Sequence, residues 1–150
     1  MGTLYCLAGI PGSGKTTFAQ RFLAEHPEVE YFSPDQYYER INGDECDRRN
    51  TFEVWHTMFG DIHKAELEGK DVLIDSDNIT YAQRTQWLEW FPNFEAHHLM
   101  YFEEPFELCL ERVNSRRRTI PKEVMLAKLG AWDSPVDAPD RHRWDSVVCL

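Results

Sequence analysis

The chain has 150 residues, a formal net charge of −10 and a hydrophobic content of 42%. This length and composition predict a single domain over residues 1–150, and the acidic balance argues against nucleic-acid binding through a broad basic face. No apolar run approaches the length that crosses a bilayer and no signal-peptide pattern is visible, so we expect a soluble, intracellular protein without a membrane partner.

The first recognisable unit combines a strand, a glycine-rich loop and a helix. Residues 3–8 are a short apolar run that predicts a buried strand of a parallel sheet. The next eight residues, GIPGSGKT, match the phosphate-binding pattern G-x-x-x-x-G-K-[ST], and residues 15–25 predict a helix. Glycines let backbone N–H groups turn onto phosphate oxygens, Lys15 supplies a cation near the β and γ oxygens, and Thr16 offers a hydroxyl to Mg²⁺. The pattern therefore predicts a P-loop.

A second short strand, residues 29–32, ends at Ser33-Pro34-Asp35, where the proline disfavours further pairing. In open α/β sheets, ligands bind beyond the carboxyl ends of the strands. Asp35 is therefore expected beside the P-loop. Residues 36–41 predict a helical turn or two, followed by a break at residues 42–44.

A long amphipathic helix is predicted over residues 51–68, followed by a strand over residues 71–75. The apolar positions of the helix, which we expect to pack in the core, are Phe52, Trp55, Phe59, Ile62, Ala65 and Leu67. A base-stacking platform is the other interpretation of its aromatic residues. The strand ends in Asp75, and a carboxylate there is the usual way in which a P-loop protein holds its Mg²⁺ shell. Asp77 follows two residues later. The other interpretation of the carboxylate at the end of this strand is that it caps the helix that begins near Thr80.

The remaining chain continues to alternate. Residues 80–91 predict a helix, 96–102 a strand, 106–113 and 121–129 two helices, 131–140 a loop, and 147–150 a last strand. The break between the two helices holds three consecutive arginines, Arg116-Arg117-Arg118. This is a dense cluster of positive charge in a chain whose net charge is −10. Arginine is well shaped to clamp phosphate oxygens, so we expect a lid there.

The four cysteines lack C-x-x-C spacing. Cys6 and Cys149 lie in apolar runs that predict buried strands. Reduced core or surface thiols are therefore favoured over disulfides or a metal site.

The alternation of strands and helices predicts a three-layer α/β/α P-loop fold with a mainly parallel sheet and a short helical, arginine-bearing lid. Lys15, Thr16, Asp35 and Asp75 would all lie at the carboxyl edge of that sheet. Together with the arginines they supply the groups that phosphoryl transfer requires. These are a loop that binds phosphate, ligands for a metal ion, a carboxylate that contacts the acceptor hydroxyl, and cations that neutralise the transferring group.

The sequence resembles the P-loop polynucleotide 5′-hydroxyl kinases of bacteriophage type and their relatives. The resemblance runs through nearly the whole chain in four blocks: Gly9 to Ala19, Ser33 to Tyr37, Ile74 to Asn78 with Arg84 beyond, and Pro105 through Arg112 to Arg116 and Pro121. It implies a kinase fold, ATP with Mg²⁺ as cofactor, and the 5′ end of a nucleic acid as substrate. It also implies a cytoplasmic protein, acting in the host cytoplasm if a phage encodes it.

The resemblance further implies roles for individual residues. The residue matching Asp35 activates the acceptor hydroxyl and the one matching Arg116 reaches the phosphates, so the predicted catalytic residues are Lys15, Asp35 and Arg116. The predicted cofactor-binding residues are Gly12, Ser13, Gly14, Lys15, Thr16, Thr17, Arg112 and Arg116, with Thr16 and Asp75 as the metal-binding pair. The predicted substrate-binding residues are Asp35, Tyr38, Arg40, Asp77, Asn78 and Arg84.

Some assignments stay open at this stage. The family often has an arginine three residues after the catalytic aspartate, but this sequence has Tyr38 there, and Arg40 is the nearest arginine. Either Asp75 or Asp77 fits the acidic strand end, and any of Arg116, Arg117 and Arg118 fits the contact with the γ-phosphate.

Three functions compete. The leading hypothesis is a kinase for the 5′-hydroxyl of DNA or RNA. The second is a kinase for another hydroxyl, on a hydroxymethylated base in DNA, a nucleoside or a small molecule, which Tyr38 and the net charge favour. The third is a nucleotide-binding module without catalysis. The sequence carries no feature that specifies an oligomeric state.

Overall fold

A computed structural model describes residues 1–150. Five strands alternate with six α-helices and one short 3₁₀-helix at residues 141–143. The strands are β1 Thr3–Ala8, β2 Glu30–Phe32, β3 Val72–Asp75, β4 Ala96–Tyr101 and β5 Ser146–Cys149. The helices are α1 Lys15–Glu25, α2 Pro34–Asn42, α3 Thr51–Leu67, α4 Tyr81–Trp90, α5 Phe106–Asn114 and α6 Lys122–Ala131.

All five strands form one parallel sheet in the order β2-β3-β1-β4-β5, which confirms the predicted fold class. The chain leaves β1 toward one side of the sheet and later crosses β1 to build the other side. The carboxyl end of β1 therefore lies at the point where the strand order reverses, which is where open α/β sheets bind ligands. Leu7 on β1 is in register with Asp75 on β3, so the acidic strand end lies beside the start of the P-loop.

Side chains of β1 alternate between the two faces of the sheet. Leu4, Cys6 and Ala8 belong to the larger core cluster, which includes buried residues of α3 and α4. Leu7 packs in a second cluster with Ala19 of α1. Helices therefore cover both faces, as the three-layer prediction requires.

The buried face of α3 differs from the predicted one. Phe52 and Leu67 are 82% and 70% exposed, which corrects their placement in the core. Ile62 and Ala65 are buried as predicted, and the prediction left out Val54 and Met58, which are buried as well. These residues recur at helical spacing and form the stripe that faces the sheet, whereas Phe52 and Leu67 lie at the helix ends and off that stripe.

The last strand also differs from the prediction, because β5 is an edge strand and not a buried one. Cys149 is exposed and Val148 is 44% exposed, whereas Cys6 on the central strand is fully buried. An edge strand has a neighbour on one side only, so an apolar run does not by itself bury it.

Candidate active site

The P-loop between β1 and α1 has the backbone geometry that its glycines predict. Gly12 and Gly14 have φ angles of 80° and 104°, in the left-handed region that residues with a Cβ rarely adopt. A Cβ at Gly12 would also lie 2.4 Å from the carbonyl oxygen of Cys109, so α5 packs directly against the loop. Arg112 of α5 adds a hydrogen bond from Nη1 to the Gly12 carbonyl at 3.1 Å.

The amino end of α1 fits a polyphosphate. No side chain caps this end, which leaves its first backbone N–H groups for a ligand. The Ser13 hydroxyl is buried, and Oγ has no hydrogen-bond partner in the protein. Lys15 Nζ donates to the carbonyls of Gly9 and Ile10 at 2.7 and 3.0 Å, so its charge stays inside the loop. Unpaired donors and a buried cation around one concave loop are the groups that phosphate oxygens require.

Asp75 lies directly beside the metal-binding position of the loop. Its Oδ2 accepts hydrogen bonds from the Thr16 hydroxyl at 3.1 Å and from the Tyr31 hydroxyl at 2.5 Å. Burial raises the pKa of Asp75, although the hydrogen bonds from Tyr31 and Thr16 and the charge of Lys15 oppose that rise. A hydroxyl and a carboxylate held together at the end of the P-loop form an oxygen donor set that suits Mg²⁺.

Asp77 has a different environment, between two lysines. Its Oδ1 is 3.3 Å from Nζ of Lys15, and its Oδ2 accepts a hydrogen bond from Nζ of Lys128 on α6 at 2.8 Å. Loss of water would raise the pKa of Asp77, but the two ammonium groups outweigh that effect and lower it. Asp77 therefore orients Lys15 and ties α6 to the P-loop, while Asp75 accompanies Thr16.

Asp35 lies in the first turn of α2, whose amino end is capped by a hydrogen bond from the backbone N–H of Gln36 to Ser33 Oγ. Arg48 Nη2 donates to Asp35 Oδ1 at 2.6 Å, and Arg118 Nη2 lies 3.8 Å from the same oxygen. Both contacts fall on Oδ1, which leaves Oδ2 for a ligand. The Asp35 side chain is 47% exposed, so an incoming hydroxyl can reach it.

The three consecutive arginines differ in their surroundings. Arg116 and Arg118 line the cavity above the P-loop, as does Arg112. Arg117 instead forms a hydrogen bond from Nη2 to Asp44 Oδ1 at 3.0 Å, outside that cavity. The segment thus presents Arg116 and Arg118 to the cavity and Arg117 to Asp44.

These groups share one open cavity of about 1330 Å³. Its wall brings together most of the predicted site residues, namely Gly12, Ser13, Gly14, Lys15, Thr16, Thr17, Asp35, Tyr38, Asp75, Asp77, Asn78, Arg112 and Arg116. The same cavity is also lined by residues of α3 and α4, including Trp55, Phe59, Gln83 and Gln86. The phosphate cradle and these aromatic and amide side chains therefore share one cavity.

Two predicted substrate-binding arginines do not reach this cavity, which corrects the prediction. Arg40 is exposed, pairs with Asp61 at 3.5 Å and stacks on Tyr37 on another surface. Arg84 is fully buried, and its guanidinium contacts the Asp140 carboxylate at 2.9 and 3.1 Å. Two further hydrogen bonds run from Nη1 to the carbonyls of Asn78 and Ile79. Burial of an arginine requires such pairing, and a side chain without exposed surface cannot reach a substrate.

Asn78 lines the cavity but is also occupied within the fold. Its Nδ2 donates to the Leu7 carbonyl at 2.7 Å, and its Oδ1 accepts from the indole of Trp87 at 2.8 Å. Its own backbone carbonyl accepts from Arg84 at 3.0 Å. Asn78 thus joins β1, α4 and the buried Arg84 pair, a positioning role that its place in the motif does not reveal.

Sequence reasoning missed Arg48 and Lys128, and it assigned Trp55 and Phe59 of α3 to the core, although both also line the cavity. Arg48 lies thirteen residues beyond Asp35 in an irregular segment, and Lys128 belongs to a helix with no motif. The only local signal for Trp55 and Phe59 was a helical apolar spacing, and that spacing is shared by core residues. Their positions in the cavity wall depend on which segments meet, so no local pattern identifies them.

The sequence profile of a family described as AAA domain matches residues 4–139. The chain belongs to this family. The AAA domain match includes the P-loop, Asp35, Asp75 and the arginine segment. No significant match is found among curated proteins.

Solved structures share the fold of this AAA domain at low sequence identity. A chain of the Pnkp1/Rnl/Hen1 RNA repair complex is similar with a TM-score of 0.77 and 18% identity, over 87% of this chain and 43% of that chain. The gluconokinase of Sinorhizobium meliloti 1021 is similar with a TM-score of 0.61 and 16% identity, over 99% of this chain and 81% of that chain. Kti12 of Chaetomium thermophilum, in complex with ADP-AlF3, is similar with a TM-score of 0.70 and 20% identity, over 98% of this chain and 88% of that chain.

The chain therefore has a nucleotide-binding P-loop kinase fold. It spans less than half the length of the matched protein of the RNA repair complex. None of the helices combines the length and the apolar character that a membrane span requires.

Proposed function

We propose that this protein is an ATP- and Mg²⁺-dependent kinase that phosphorylates a hydroxyl group, and that its acceptor is the 5′-hydroxyl end of DNA or RNA. The observation that carries the proposal is Asp35: a half-exposed carboxylate with one oxygen held by Arg48 and the other free, in the same cavity as the P-loop. A switch-type nucleotide-binding module needs no such carboxylate.

ATP with Mg²⁺ supplies the transferable phosphoryl group and the divalent cation. The backbone of residues 12–16 and the Lys15 ammonium bind the phosphates, and Thr16 with Asp75 holds the metal ion. Arg112 and Arg116 neutralise the remaining phosphate charge from the α5 side. Asp35 Oδ2 orients the acceptor hydroxyl and accepts its proton. Kinases commonly use an aspartate as the base that accepts the proton of the attacking hydroxyl.

Two features support a nucleic-acid end as the acceptor. Positive side chains are concentrated on one cavity in a chain of charge −10, namely Arg21, Arg48, Arg112, Arg116, Arg118, Lys15 and Lys128. The acidic surface repels a long stretch of nucleic acid, whereas the cations of the cavity attract the few phosphates near a strand end. This distribution of charge favours binding of an end over binding along a long polyanion. The similarity to a chain of an RNA repair complex agrees with this substrate class.

A second candidate is a kinase for another hydroxyl, on a small molecule, a nucleoside or a hydroxymethylated base in DNA. Tyr38 replaces the arginine that polynucleotide kinases often carry at this position, and the fold is also that of a gluconokinase. The discriminating observation is whether the acceptor must be a polynucleotide.

The decisive experiment measures transfer of the γ-phosphate of ATP to a single-stranded oligonucleotide with a 5′-hydroxyl. The same strand with a 5′-phosphate and the Asp35→Asn variant serve as controls. Label on the 5′-hydroxyl strand only, and its loss in the variant, is the expected result. If ATP binds but neither strand is labelled, the acceptor proposal is wrong, and nucleosides, hydroxymethylated DNA and sugars become the acceptors to assay. Full activity of Asp35→Asn would contradict the role of that carboxylate.

A further inference from the structure

The cavity has an aromatic wall, formed by Trp55 and Phe59, that phosphate binding does not require. Trp55 and Phe59 of α3 are half-buried and line the cavity together with Gln83 and Gln86 of α4. Both aromatic residues pack at the margin of the core, with part of each side chain still accessible. An accessible indole in a polar cavity offers a flat apolar surface to a ligand.

This wall is fixed relative to Asp35. The Tyr38 hydroxyl, one turn beyond Asp35 in α2, donates to Thr51 Oγ1 at the start of α3 at 3.1 Å. Trp55 is four residues beyond Thr51, so it lies one helical turn, about 6 Å, further along the same face. Trp55 and Asp35 therefore line one cavity and are connected through Tyr38 and Thr51, so a ligand that extends from Asp35 along α3 meets Trp55.

Other rings support the wall from behind. Trp55 and Phe59 meet edge to face with centroids 5.7 Å apart. Phe59 in turn contacts Trp87 at 5.4 Å and Trp90 at 4.9 Å, and Trp87 is fully buried. These edge-to-face contacts restrict the orientation of Trp55 and reduce the entropy that is lost when a ligand binds there.

The charges around the wall suit a nucleotide. Arg48 and Arg118 flank Asp35 in the same cavity, and Arg48 Nε is buried without a hydrogen-bond partner. Gln83 uses its Oε1 to accept from the backbone N–H groups of Ile79 and Thr80, which leaves its amide N–H groups free. Aromatic faces combined with arginines are the groups that bind single-stranded nucleic acid, since every base has a face to stack.

We infer that Trp55 is the stacking surface for the unpaired nucleobase of the terminal nucleotide of the acceptor, with Phe59 as its support. This inference rests on the proposed function and deepens it: the acceptor is a single-stranded end that is recognised by its base, and Trp55 determines that specificity. The chemistry is shared by DNA and RNA.

The test removes the base and the ring in turn. Phosphoryl transfer is measured with a single-stranded 5′-hydroxyl oligonucleotide and with the same strand lacking only the base of its first nucleotide. The proteins are wild type, Trp55→Ala, Trp55→Phe and the matched control Trp90→Ala, which removes an exposed ring that contacts Phe59 but lies outside the cavity.

We expect Trp55→Ala to raise the acceptor KM about tenfold or more, equivalent to about 1.4 kcal/mol of stacking, and to leave the KM for ATP unchanged. Removal of the base should raise the acceptor KM of the wild type by a similar factor. The acceptor KM of Trp55→Ala should be nearly the same with and without the base. Trp55→Phe should retain most of the affinity, and Trp90→Ala all of it.

The outcomes separate the two proposals. If no 5′-hydroxyl strand is labelled by the wild type, the proposed function fails and this inference fails with it. If the wild type labels both strands with the same acceptor KM, the function stands and the stacking inference is wrong. The same conclusion follows if the effects of Trp55→Ala and of base removal on the acceptor KM multiply, because independent effects mean that the ring and the base do not interact. Misfolding of Trp55→Ala would also raise the KM for ATP and would leave the ratio of the KM values for the two strands as in the wild type, so these two readouts separate a loss of stacking from a loss of structure.

Discussion

Arg48 and Asp35 form the shortest ion pair of the cavity, with Nη2 of the arginine 2.6 Å from Oδ1 of the aspartate. The Arg48 guanidinium also stacks on the ring of Tyr38, 4.3 Å from its centroid. Tyr38 occupies the position where the polynucleotide kinases that the sequence resembles often have an arginine. In this protein the ring at that position supports an arginine that comes from a different segment.

This pair predicts that Arg48 positions Asp35. Arg48→Ala should lower kcat about 10- to 100-fold, because the carboxylate loses the contact that orients it. Arg40→Ala is the matched control, since Arg40 lies outside the cavity, and it should keep the wild-type rate. Steady-state transfer kinetics decide between them, and equal rates for both variants would contradict the role of Arg48.

Lys15 is predicted to be essential for turnover. Its Nζ is held by Gly9, Ile10 and Asp77 within the phosphate cradle, and Lys15→Met removes the cation while keeping much of the side-chain volume. Transfer should fall at least about a hundredfold, since the charge on the transferring group is no longer neutralised. The thermal midpoint, measured in parallel, shows whether the variant folds. A variant that folds and keeps a tenth of the activity would refute the prediction.

The two aspartates at the end of β3 are predicted to differ in their metal dependence. Asp75 contacts Thr16, so Asp75→Asn should raise the Mg²⁺ concentration for half-maximal transfer about tenfold or more. Asp77 contacts Lys15 and Lys128, so Asp77→Asn should change the KM for ATP and leave the Mg²⁺ requirement close to that of the wild type. Titrations of Mg²⁺ at fixed ATP test both variants. The opposite pattern would exchange the two roles.

Arg116 and Arg117 provide a matched pair within one segment. Arg116 lines the cavity, and Arg116→Ala should reduce transfer roughly a hundredfold. Arg117 pairs with Asp44 at the surface, and Arg117→Ala should leave the rate near that of the wild type. Initial rates at saturating ATP measure both effects. A larger loss in Arg117→Ala would show that the segment rearranges when the substrates bind.

Arg84 is predicted to matter for stability and not for substrate contact. Arg84→Met leaves Asp140 buried without its partner, so the free energy of unfolding at pH 7 should fall by about 3–5 kcal/mol. The exposed pair of Arg143 and Glu89 is the control, and Arg143→Ala should change that free energy by less than about 0.5 kcal/mol. Urea unfolding measures both. A loss below about 1 kcal/mol in Arg84→Met would contradict the importance of the pair.

The same pair predicts a pH dependence. Burial alone would raise the pKa of Asp140, but hydrogen bonds from Arg84 and Trp144 outweigh it and hold that pKa below its ordinary value of 3.8. The unfolded state therefore binds this proton at a higher pH than the folded state. The stabilising effect is complete above the ordinary pKa and is lost as the pH falls through the lowered one. The difference between wild type and Arg84→Met should accordingly shrink from pH 7 toward pH 3.

Much of the fold and half of the site could be predicted from local sequence. The P-loop is one continuous motif whose glycines, lysine and threonine each satisfy a local requirement, so its structure follows from neighbouring residues alone. Alternating apolar strands and amphipathic helices determined the parallel sheet and the layer order, and a carboxylate after a strand lies at the carboxyl edge of the sheet wherever that strand pairs. For these reasons Lys15, Thr16, Asp35 and Asp75 share one cavity, as predicted.

Only the tertiary structure decided which residues complete that site. Arg84 and Arg40 look alike in a sequence, yet one is buried against Asp140 and the other exposed on another surface, because burial depends on which segments pack together. Arg48, Lys128 and Trp55 reach the cavity across separate elements for the same reason. Motifs encode the chemistry that a short segment holds by itself, whereas long-range packing determines the surroundings of each charge and ring.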